Sequence, residues 1–170
     1  MSDHILRLIA LDAAIGFGGC IQGDEMTAEP MLTALLVGQI EVQDRLILRE
    51  VFQKRSWRLL ELWDRRRALL QMDGEPVQVV IAESDASGET WKALLEHLHL
   101  RGSAAQLIVF SRLADDRLWA EVLNLGGFDL LCSQPLDREE LERVIAAAAR
   151  HCRLSPARAN QAEYRRYSVA

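Results

Sequence analysis

Cysteine is scarce in this chain of 170 residues: Cys20, Cys132 and Cys152 are odd in number, far apart, and form no CxxC pair or Cys/His cluster. That leaves no disulfide framework and no zinc-ligand spacing, and His97 and His99 stand alone in their neighbourhood. Reduced thiols fit a cytoplasmic protein. Long apolar runs are missing too: no stretch approaches the roughly 18–20 residues that a membrane-spanning helix needs. There is no excess of basic residues either, with 20 Lys and Arg against 25 Asp and Glu, a formal charge of −5. A protein that tracks nucleic-acid phosphates normally carries a basic face, so neither nucleic acid nor membrane is the expected partner. The glycines around Gly16 and Gly18-Gly19 lack the Lys-Ser/Thr of a phosphate-cradling loop. What is present is ordinary for a globular domain, at 49% hydrophobic and 26% charged residues, and the length suits one domain.

The chain divides into a head, a body and a tail. Residues 1–30 hold a short apolar stretch interrupted by Asp12 and carry neither the basic start nor the unbroken apolar core of a secretory signal. They read as a weakly structured extension, with Met31 a candidate natural start. Residues 31–152 are regular. Apolar strands are expected at Met31–Val37, Trp57–Leu62, Val77–Ala82, Gln106–Phe110 and Phe128–Cys132. Helices alternate with them, carrying Leu48, Val51 and Phe52; Asp64 to Leu70; Trp91, Leu94, Leu95 and Leu98; Leu118, Trp119, Val122 and Leu123; and Leu141, Val144, Ile145 and Ala148 on inward faces. Asp64, Asp115 or Asp116, and Asp137 stand where N-caps are needed, and Gly126-Gly127 stops a helix. Strand–helix alternation with short connections predicts an α/β fold: a five-stranded parallel sheet with helices on both faces, flavodoxin-like. Residues 153–170 lack apolar periodicity and read as a tail.

In such a sheet, ligands gather at the carboxyl ends of the strands. Those positions are Gly38-Gln39, Glu83, Ser111 and Gln134-Pro135. The body resembles the receiver domain of bacterial response regulators, in an atypical stand-alone subgroup. The resemblance rests on Leu125-Gly-Gly-Phe-Asp129, on Gln134-Pro135-Leu-Asp-Arg-Glu-Glu-Leu141, on a strand ending in Ser111, and on Leu118-Trp-Ala-Glu-Val-Leu-Asn-Leu-Gly126. It implies the (βα)5 receiver fold and a two-component or phosphorelay setting. The implied partner is a signalling protein such as a histidine kinase or downstream effector, with a homodimer as a further option. It also implies a partner surface on the fourth helix, fifth strand and fifth helix, where Trp119 and Phe128 lie.

The departures from the family pattern bear on chemistry. The family's acidic pair falls on Gly38 and Gln39, its phosphoacceptor aspartate on Glu83 and its lysine on Gln134. A hard dication wants carboxylate oxygens, so Mg²⁺ binding is expected to be poor and no cofactor is expected. Glu carries its carboxylate one methylene further out, and a displacement of about 1 Å can cost about 10²-fold in an in-line attack. The expectation is therefore a non-enzymatic, pseudo-receiver protein working through protein–protein contact, with Asp phosphorylation impaired or absent. Glu83 either lies solvated at its strand end or reaches toward Ser111. Ser111, in turn, either joins that network or only bonds local backbone. Gln134 before Pro135 and Asp85 in its polar loop have plain readings as turn residues. One alternative is a working phosphoacceptor with Glu41 and Asp85 as compensating acids. Another is a flavodoxin-like nucleotide binder or enzyme, which the single glycine after the first strand disfavours.

Overall fold

The computed structural model describes residues 31–84, 89–132 and 136–155. Five strands alternate with five helices: β1 (Thr33–Val37), α1 (Val42–Lys54), β2 (Arg58–Leu62), α2 (Arg65–Gly74), β3 (Val79–Glu83), α3 (Glu89–Leu100), β4 (Gln106–Ser111), α4 (Asp116–Asn124), β5 (Asp129–Cys132) and α5 (Arg138–Leu154). All strand pairs are parallel, in the order β2-β1-β3-β4-β5. The expected α/β architecture is the one observed. The expectations for residues 1–30, for Asp85, for Gln134-Pro135 and for the tail beyond 155 fall outside the described residues.

The period of two along a strand sends alternate side chains to opposite faces. Ala34, Leu36, Val79, Ile81, Ile108 and Phe110 pack beneath Leu48, Val51 and Phe52 of α1 and Leu141, Val144, Ile145 and Ala148 of α5. Leu35, Val37, Val80, Ala82, Leu107 and Val109 face the other way, onto Ala68 of α2, onto Trp91, Leu94, Leu95 and Leu98 of α3, and onto Val122 of α4. Two cores on one sheet explain why β1, β3 and β4 read as unbroken apolar runs, while the edge strand β2 carries exposed Arg58.

Local chemistry sets the helix ends. Asp64, Asp115 and Asp137 accept hydrogen bonds from the backbone N–H of Arg66, of Leu118, and of both Glu139 and Glu140. α4 stops as expected: Gly126 lies at φ +94°, and a Cβ on Gly127 would stand 2.6 Å from Val122 Cγ1. One glycine supplies the left-handed turn and the other the close approach. α1 ends in the same left-handed turn on Ser56, at φ 55°, with Trp57 N–H donating to the Phe52 carbonyl and Ser56 N–H to that of Gln53.

Several boundaries differ from the expectation. β2 and β3 begin one and two residues later, at Arg58 and Val79, and α2 runs on to Gly74. Pro76 lies just before β3, and its ring cannot donate to a ladder. Trp119, expected to point inward, is 39% exposed, because the inward stripe of this short helix is taken by buried Val122 and partly buried Leu118.

Candidate functional site

The strand order reverses between β1 and β3, since α1 leads outward to β2 and α2 returns across to β3. A crevice opens at such a switch point, above the carboxyl ends of the strands. Here it is a cleft of about 720 Å³, with Gln39, Glu41, Asp44, Glu83, Ser111 and Arg112 among the residues that line it.

Gly38 follows β1 at φ +122°, and its N–H donates to Leu62 O at 3.1 Å. A Cβ at this position would stand 2.6 Å from Glu83 Cβ and 2.9 Å from Glu83 Oε2. Backbone angle and space both demand glycine. Glu83, the last residue of β3, turns its carboxylate into that space and accepts the Gln39 N–H at 2.6 Å. A carboxylate acceptor makes this one of the stronger classes of hydrogen bond. The longer acid thus holds the β1–α1 turn instead of reaching toward Ser111, which corrects the expected Glu83–Ser111 network. Ser111, 6% exposed, accepts the Leu113 N–H at 3.2 Å, the local backbone role.

Glu41 forms an ion pair with Arg112 across the cleft, from the start of α1 to the β4–α4 loop. Both side chains are more than half exposed, at 57% and 55%, so the pair contributes at most about 1 kcal/mol. It nonetheless places a guanidinium beside the acid expected to compensate for the missing pair. Asp44, which no motif singled out, is buried at 6% exposure and lines the same cleft. Its spacing from Leu48 and Val51 on the inward stripe of α1 is the signal that could have found it. Among the described residues, no three His, Cys, Asp or Glu side chains come together as a metal-holding group.

The two residues expected on a partner surface sit beside a second acid that sequence reasoning missed. Burial raises the Asp129 carboxyl above its ordinary value, while hydrogen bonds from Leu130 N–H and the Trp119 side chain and the charge of Arg143 oppose the shift. The Leu130 bond measures 2.8 Å. Phe128 packs against the α1/α5 core and stands 5.8 Å, ring to ring, from His151. On α5, burial pushes the Cys152 thiol up, against the charge of Arg153.

No family model and no curated protein matches the chain. Solved structures do. The signal receiver domain of an HD domain-containing protein from Pseudomonas fluorescens Pf-5 superposes with a TM-score of 0.63 at 23% identity, over 74% of this chain and all of that one (100%). The chain has the receiver fold. A response regulator from Thermotoga maritima gives a TM-score of 0.63 at 15% identity, covering 71% of this chain and 99% of the other. The receiver domain of a Francisella response regulator gives 0.60 at 18%, covering 70% and 97%. The switch-point cleft of this chain is lined by Gln39, Glu83 and Ser111, with Gly38 packed beneath the Glu83 side chain. Among the described residues, no helix is long and apolar enough to cross a membrane.

Proposed function

We propose that this chain is a receiver-like signalling protein of the pseudo-receiver kind, working in a two-component or phosphorelay setting through protein–protein contact, with Asp phosphorylation impaired or absent. The functional unit is residues 31–152, and the protein is cytoplasmic and not an enzyme. The observation that carries this reading is the Glu83 carboxylate seated in the space over Gly38 and bonded to Gln39 N–H. An attacking carboxylate depends on an oxygen aligned in the cleft, and here Oε2 is tied to the backbone of the β1–α1 turn, which fixes the direction of the group. Gly38 brings no side chain, Gln39 only a neutral amide, and Glu41 is matched by Arg112; Asp44 and Glu83 line the cleft too, but among the described residues no three acids gather there, which disfavours a hard dication. The α4–β5–α5 face, with Trp119 and Phe128, is the contact surface, offering a half-exposed indole of the type that anchors interfaces. A histidine kinase or a downstream effector is the partner in this reading.

Intact mass after incubation with Mg²⁺ and a small-molecule phosphodonor tests the proposal. The expected result is unmodified protein. A stoichiometric phosphoryl adduct overturns it, and its loss in Asp85→Asn would assign the chemistry to shifted acids instead.

A further inference from the structure

The first turn of α2 carries Arg65, Arg66 and Arg67, all exposed. Among the described residues their side chains meet no carboxylate, whereas Arg49, Arg101 and Arg138 each hold one. Like charges crowd there, and the turn is the positive end of the helix dipole, so the placement works against folding. No acid in that turn relieves it. The backbone is not the attraction, because Asp64 already accepts the Arg66 N–H. Beside the arginines stand two exposed large apolar side chains, Trp63 at 65% and Leu70 at 71%. The Arg45 guanidinium, paired with Glu61, lies over the Trp63 ring, 5.5 Å from its centroid, and holds the indole beside the arginines. Within α2, Arg66, Arg67 and Leu70 share the i, i+1, i+4 spacing of one exposed face, and Trp63 stands just before the N-cap Asp64.

We infer that the exposed segment from Trp63 to Leu70 is a docking surface for an acidic segment of a partner protein, one that carries an apolar side chain among its carboxylates. Charge complementarity selects the acids: this is a cluster of unmatched cations on a chain of net charge −5. Trp63 and Leu70 select the apolar group, and Trp and Arg are the residue types that anchor interfaces. A single basic turn on an acidic molecule is too small to track a phosphate backbone, and that favours protein over nucleic acid. The patch lies by β2, at the opposite edge of the sheet from β5, so it is separate from the α4–β5–α5 face and does not depend on the pseudo-receiver reading. A chain with both surfaces can hold two partners at once.

The test titrates the isotope-labelled full chain with a peptide of glutamates around one central phenylalanine. Parallel arms use the same peptide with serine for phenylalanine, single-stranded oligothymidine, and phosphatidylserine vesicles. Amide shifts should centre on residues 63–70. Affinity should fall about tenfold or more in the triple variant Arg65→Glu, Arg66→Glu, Arg67→Glu, and several-fold in Trp63→Ala or with the serine peptide. The triple variant should melt no lower than wild type, since it relieves the clash with the dipole; this separates lost docking from lost fold. Unchanged affinity in the triple variant, shifts centred elsewhere, equal binding of the serine peptide, or tighter binding of oligothymidine or vesicles would overturn the inference.

Discussion

Gly38 and Glu83 share one volume, and substitution at either is felt by the other. Gly38→Asp forces a side chain into a left-handed backbone, costing about 1–3 kcal/mol, and onto the Glu83 side chain, where overpacking adds roughly 1–3 kcal/mol more. Shortening the neighbour in the double variant Gly38→Asp/Glu83→Asp returns part of that loss. Urea denaturation of both single variants and the double variant should therefore give a coupling of about 0.5–3 kcal/mol; strict additivity would show that the two residues do not share their space. Ser56 is the opposite case, a side chain kept where glycine is easier. With φ at 55° and both capping hydrogen bonds made by backbone, Ser56→Gly should stabilise the protein by roughly 0.5–1 kcal/mol, read as a higher urea midpoint at unchanged slope.

Among the elements, α5 is the longest helix and lies over the α1-side core. Its start depends on Asp137, which accepts two backbone N–H groups, at 2.7 and 2.9 Å. Asp137→Ala should cost about 1 kcal/mol, visible in thermal denaturation, and Asp137→Ser should recover most of it. These elements were legible beforehand because their signals are local: caps at Asp64, Asp115 and Asp137, inward stripes at Trp91–Leu98 and Leu141–Ala148, and β-branched runs. The site was legible only in its residue types. Gln39, Glu83 and Ser111 were found by their strand-end positions and line one cleft, with Gly38 against Glu83 at its floor. The direction of the Glu83 carboxylate was not readable, because it follows from the backbone angle at a residue 45 positions earlier. The Glu41–Arg112 pair joins residues 71 apart, and nothing in the local pattern marks Arg112. Trp119 misled because helical spacing alone does not say how wide a stripe its neighbours can cover.

At the scale of the molecule, Asp129 links the pH of the medium to the α4–β5–α5 face. Its carboxyl is raised by burial, so the native state binds the proton more tightly than the unfolded chain does. Stability from this group is then greatest below the unfolded pKa and is lost as pH rises from there through the folded value. Asp129→Asn keeps an oxygen for Leu130 N–H and removes the charge. Its stability relative to wild type should rise as the pH is taken from about 4 to about 7, the window above the ordinary aspartate value; a constant difference across that range would show that the charge carries no penalty. Trp91 has a use that follows from its setting alone. It is fully buried in the α2–α3–α4 core, with the Lys92 ammonium 5.3 Å from its ring centroid and no hydrogen-bond partner for its indole nitrogen, while Trp63 and Trp119 already face water. With half-buried Trp57 replaced by phenylalanine, the short-wavelength part of the native fluorescence belongs to Trp91. Its red shift supplies a built-in optical gauge of whether the α2–α3–α4 side of the sheet has opened.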